Sequence, residues 1–193
     1  KLVIPIYDKD DQITTYQTIS QKTVKSKNFK IFMGGGIMGG GCYPIQGDNS
    51  VICVCEGFAT GASIHEATRY KVLVAFNAGN LIKAARIAKE KNPGTTILIC
   101  ADNDHTKDEN TGLKAGKTAV KELNLSCVFS IGIKGSDFND MAKELGFEAV
   151  KKEIDQEETV DIATTKDVPE QDESLIIPPE AIPDGLIAKG FEA

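Results

Sequence analysis

From Val51 onward, short runs that are apolar at every position alternate with stretches of helical period, and this alternation limits the fold more than any other feature. VICVC is followed by SIHEATRY, VLVAF by NLIKAARIAKEK, TILIC by LKAGKTAVKEL, and CVFSIG by DFNDMAKEL. A strand that is apolar on both faces is one covered on both faces, as strands of a parallel sheet are. Strands alternating with helices in this way make βαβ units. The expectation is an α/β domain, a doubly wound parallel four-stranded sheet flanked by helices, over residues 51–150.

The first fifty residues read differently. KLVIPIY, a polar turn at DKDDQ, ITTYQTI, FKIFM and CYPI predict a small antiparallel β-rich unit over residues 1–50, with Pro5 on an edge strand. Between the last two runs lies MGGGIMGGG, residues 33–41. Glycine loops that cradle phosphates open a helix, whereas this one precedes a strand, so it reads as a hairpin turn.

After Val150 the composition turns acidic. Residues 151–193 carry four lysines against twelve acids, so the net charge of -6 belongs to this segment, and residues 1–150 are mildly basic. Residues 151–174 read as a solvated acidic linker. Residues 175–193 regain apolar side chains and prolines, as a strap or the start of a following domain would. The chain begins at Lys1 and is expected to be a piece of a longer protein.

Composition excludes several classes. No apolar run approaches a membrane span, and no secretory signal pattern is present, so a cytoplasmic setting is expected and no membrane partner. Four of the five cysteines, Cys53, Cys55, Cys100 and Cys127, lie inside apolar runs as small hydrophobes. No CxxC pair or Cys/His zinc spacing occurs.

Three acids stand where a parallel sheet collects its ligands, at the carboxyl ends of strands. Glu56 closes the first apolar strand, and Asp102 and Asp104 close the third. Their convergence requires the first and third strands to be neighbours, which predicts the order 2-1-3-4. Carboxylates held close need a cation or protons between them, and oxygen-only ligands favour a hard ion, Mg2+ or Mn2+. A lone DxD also occurs as a cap or turn. A lone glutamate ending a buried strand gains little structurally.

Glu56-Gly57, the Asp102-x-Asp104 pair and the β-α-β-α spacing between them resemble the TOPRIM domain shared by primases, topoisomerases and some nucleases. Within that family, CEGFATGASIHEAT, AFNAGNL, ADND, Gly112 with Ala115, and GSDFNDMAKELG are similar to the variant of phage and plasmid primases. LVIPIYDKDDQITTYQTIS, FKIFMGG and GCYPI resemble the β-rich segment that precedes it, extending the likeness to about residues 1–150. The resemblance implies metal-dependent synthesis of short RNA primers on single-stranded DNA during phage, plasmid or mobile-element replication. Glu56 would be general acid/base, and Asp102 and Asp104 would hold magnesium. It also implies ribonucleoside triphosphate substrates, a fused or associated replicative helicase and an upstream zinc-binding module. Two other readings share the domain: a TOPRIM nuclease, and a non-catalytic module that binds nucleotide or a partner.

Secondary candidates surround this core. Asp137, just after the fourth strand, is a contributor to a metal or a helix cap. Gly57, Thr60 and Gly61, where the first helix opens, and Asn77 at the end of the second strand are candidate nucleotide contacts. Lys22, Lys25, Lys27 and Lys30 form a basic run without an acid, either a solvated loop or a track for template phosphates. His65 reads as a surface or packing residue, and His105 adjoins the DxD.

Overall fold

The computed structural model describes residues 1–21, 30–103, 111–131 and 137–156. All the described residues belong to one compact unit, within Lys1–Val160. The expectations for residues 157–193 lie outside the described residues.

Three strands, β1 (Leu2–Tyr7), β2 (Ile13–Ile19) and β3 (Lys30–Phe32), form an antiparallel sheet in the order β1-β2-β3. Pro5, which lacks an amide hydrogen, sits on the edge strand β1 opposite Tyr16.

A second sheet holds the fold's core. Its strands are β4 (Tyr43–Ile45), β5 (Asp48–Cys55), β6 (Tyr70–Val74), β7 (Thr96–Ala101) and β8 (Ser126–Phe129), ordered β4-β6-β5-β7-β8. The four strands from β5 onward run parallel in the expected 2-1-3-4 arrangement. Ile52, Cys53, Val54 and Cys55 are each 0% exposed, because β5 has a strand on either side and helices on both faces. Ile52 and Val54 face α2 (Ala78–Lys91) and α3 (Thr111–Leu123). Cys53 and Cys55 face α1 (Phe58–Thr68), α4 (Phe138–Leu145) and α5 (Phe147–Asp155).

Three features depart from the sequence reading. The sheet has a fifth strand: β4, from the run CYPI, leaves the small unit and pairs antiparallel with β6, Tyr43 opposite Val74 and Ile45 opposite Val72. That pairing covers an edge β6 would otherwise leave open, and Pro44 is tolerated because β4 is itself the outer strand. Consequently the glycine run is no hairpin turn; it carries the chain from one sheet to the other. Lastly, α5 continues the helical layer past the composition change at Val150, since Val150 and Ile154 lie on one helix face and are both buried.

Asn80 fastens the glycine crossing to the parallel sheet. Buried on α2, it accepts a hydrogen bond from the Gly40 amide through Oδ1 (2.7 Å) and donates through Nδ2 to the carbonyls of Gly41 (2.7 Å) and Ala75 (2.9 Å). Gly40 itself takes a φ of +81°, which suits glycine. The Tyr7 and Cys42 backbones exchange two further hydrogen bonds of 2.9 Å. Asn80→Ala removes the partners of one buried donor and two acceptors. It should destabilise the chain by about 3 kcal/mol in urea denaturation, while Glu90→Ala, at an exposed position of the same helix, stays within about 0.5 kcal/mol.

Candidate active site

Parallel strands that all leave the sheet at the same edge bring their following residues together. Cys55 on β5 lies opposite Cys100 on β7, so Glu56 comes level with Ala101 and one residue short of Asp102. Both acids are half-buried. The Cys55 thiol reports their approach: burial pushes its pKa well up, and the negative charges of Asp102, Glu56 and Asp137 push it further. Asp102 and Asp137 therefore lie within electrostatic range of the end of β5, on which Glu56 follows directly.

Glycines let the helices approach this edge. Gly57 ends the turn after Glu56 and stands as the N-cap of α1, without a side-chain cap. A side chain at Gly61 would press on Val74 Cγ2 at 2.8 Å and on the Cys55 sulfur at 3.1 Å, so Gly61 seats α1 on the sheet. Gly112 does the same for α3, since any β-carbon there would overlap the Asp102 carbonyl. Phe76, at the carboxyl end of β6, holds a φ of +69°, strained for a bulky side chain, and packs edge-on against Phe32 of β3 at 6.1 Å.

The expected site residues separate into groups. Glu56 and Asp102 reach the same edge from adjacent strands, and Asp137 lies within electrostatic range of Cys55 beneath them. Asp137 caps α4, accepting the Asp140 amide at 2.8 Å, which is the helix-cap role weighed for it. Asn77 lies at the same edge as the N-cap of α2, accepting from the Asn80 amide at 2.9 Å. Thr60 is 1% exposed and the Gly61 amide is already donated to the Gly57 carbonyl, so both serve packing of α1. Lys30 is exposed on β3. Asp104 lies outside the described residues, as do Lys22, Lys25, Lys27 and His105. His65 packs through a 2.8 Å contact of Nδ1 with the Tyr70 carbonyl. Sequence reasoning does not single out Asn80; its one signal is a polar residue placed just before Leu81 on the face that continues with Ala84, Ala85 and Ala88.

Among the described residues no three His, Cys, Asp or Glu side chains lie close enough to enclose a metal ion. The chemistry of the edge nonetheless suits a divalent cation. Its donors are carboxylate oxygens, and one oxygen of each principal acid, Glu56 Oε1 and Asp102 Oδ1, is buried without accepting a hydrogen bond, although both residues make other polar interactions. A hard ion held by one or two carboxylates, with water and substrate phosphates completing its shell, fits such an edge.

A family model, the Toprim domain, matches residues 51–148, and the chain belongs to that family. Its relatives include the DNA primase TraC of Escherichia coli, 28% identical over 155 residues; the match takes in 75% of this chain and 14% of that protein's length. Among solved structures, the Aquifex aeolicus primase (zinc-binding and RNA polymerase domains) has a TM-score of 0.59 at 17% identity, covering 80% of this chain and 39% of that one. A DnaG primase catalytic domain bound to ssDNA has a TM-score of 0.55 at 13% identity, covering 80% and 50%. At these identities the structural likeness speaks for the fold.

Two helix glycines, Gly112 on α3 and Gly79 on α2, separate packing from propensity. Gly112→Ala forces α3 away from Asp102 and should cost about 1–3 kcal/mol in urea denaturation. Gly79→Ala, whose added carbon would meet only Asn77 Oδ1 at 3.4 Å, should be neutral or stabilising by up to about 1 kcal/mol.

Proposed function

We propose that this chain is the catalytic-region fragment of a DNA primase, acting in the synthesis of short RNA primers on single-stranded DNA in phage, plasmid or mobile-element replication. The observation that carries the reading is the convergence of Glu56 and Asp102 from adjacent parallel strands, on a Toprim fold whose sequence relatives include a DNA primase.

In this reading Asp102 and Asp104 hold Mg2+ or Mn2+, with Glu56 and Asp137 beside them. Bound there, the ion lowers the pKa of the primer 3'-hydroxyl and neutralises charge on the incoming ribonucleoside triphosphate. Glu56 acts as the general base that takes the proton of that hydroxyl. Cys53, Cys55 and Cys100 form an apolar floor that keeps water from the carboxylates from below. Lys30, with Lys22, Lys25 and Lys27, supplies the template track. An upstream zinc-binding module, a replicative helicase and a cytoplasmic setting complete the proposal; no described helix is long and apolar enough to cross a membrane.

In the intact protein, Asp102→Ala and Glu56→Gln should each lower template-dependent incorporation of labelled ribonucleotides by at least about 100-fold. Retained incorporation sinks the reading. Cleavage of the DNA by the wild-type protein without incorporation would identify a nuclease instead.

A further inference from the structure

The two helical layers of the parallel sheet differ sharply in charge. On one face, α2 and α3 carry seven basic residues and two acids; on the other, α1, α4 and α5 carry three lysines and six acids. A difference of this size across a single sheet separates the surface into a positive and a negative side.

The positive side has a defined geometry. Lys83 and Arg86 stand three residues apart on α2, and Lys114, Lys117 and Lys121 follow at helical spacing on α3, all exposed. Seven residues of helix span about 10 Å, so the α3 row follows a short stretch of phosphate backbone rather than a single phosphate. Arg86 is engaged with Glu122 at 3.3 Å, and Lys89 with the Leu123 carbonyl at 2.6 Å. Among the described residues Lys83, Lys117 and Lys121 make no ion pair, and a polyanion could take all three.

Between the helices runs a groove of about 320 Å³, lined by Ala78, Gly79 and Ile82 on α2 and by Thr111, Lys114 and Ala115 on α3. Its upper end is at the active-site edge, because both helices begin where β6 and β7 end and Gly112 sits against Asp102. A second hollow, of about 350 Å³, lies along the lysine row of α3, lined by Lys114, Lys117 and Lys121. On the α2 side the groove is bordered by Lys83, whose ammonium lies beside Gly39 of the glycine crossing.

We propose that the α2–α3 face is a second nucleic-acid track, on which the phosphate backbone of single-stranded DNA runs to or from the carboxylate edge, gripped by Lys83, Lys117 and Lys121. It is separate from the lysine run of residues 22–30, and it rests on the primase reading for the identity of the polymer. An exposed basic face beside the site attracts phosphate with little regard for base sequence, and its grip weakens as salt rises.

The test is binding of fluorescent oligodeoxythymidylate by the 193-residue chain across a salt series, for the wild type and the triple variant Lys83→Gln, Lys117→Gln, Lys121→Gln. Glutamine is a good helix former and all three positions are exposed, so the fold should hold, which an unchanged Tm verifies. The expected result is affinity lower by about tenfold or more, with the slope of log K against log salt shallower by about two units, since each phosphate that a lysine neutralises on a single strand adds about 0.7 to that slope. Unchanged affinity and slope would overturn the track. So would tighter binding of polyglutamate than of the oligonucleotide by the wild-type chain. The primase reading is tested apart from this: absent incorporation by the intact wild-type protein, with oligonucleotide binding still weakened by the triple substitution, would mark the failure of that reading alone.

Discussion

The whole arrangement depends on β5 being buried on both faces and paired on both edges. Nothing polar fits between Ile52 and Cys55, so the first position at which this strand can bear charge is Glu56, at its exit. Parallel pairing then sends β7 out at the same edge and delivers Asp102 beside it. The acids are neighbours because a hydrophobic strand leaves them nowhere else to be, and glycines at positions 61 and 112 let helices close over the same edge without displacing them.

Charge is divided along the same architecture. The helices that return the chain behind β6 and β7 are rich in lysine, and those on the opposite face are rich in acid, although residues 1–150 as a whole are close to neutral. A net charge near zero says little about partners when the sheet sorts one sign to each side. The small antiparallel sheet is tied to this body by the Lys91–Asp11 ion pair at 3.0 Å and the Phe32–Phe76 contact, and the glycine crossing that leads from it is held by the Asn80 hydrogen bonds.

Much of this is readable from the chain. Strands apolar at every position can only be interior, and the strand order follows from requiring Glu56 to meet Asp102. What escapes such a reading is decided by distant partners. CYPI has the same character whether it pairs with β3 or β6, and only the uncovered edge of β6 chooses. Val150 and Ile154 are spaced as a helix face, but the surrounding acids conceal it. Thr60 and Gly61 look available for ligand because a helix start suggests phosphate; the shape of Val74 and Cys55 beneath them makes that turn a packing surface. Asn80 is inconspicuous because its three tertiary partners belong to a loop and a strand end that composition does not relate to it.

The order β6-β5-β7 also has a consequence for how the molecule is made. The strand synthesised first among these three ends up in the middle, so β5 leaves the ribosome with both edges unsatisfied and must wait for one helix and β6, then a second helix and β7, before either side is sealed. During that interval VICVC is an aliphatic ribbon with open hydrogen-bonding edges, the kind of segment that joins a stray strand from another chain. Its closing glutamate is then the nearest charge following it, a gatekeeper in the nascent protein before it is part of any site.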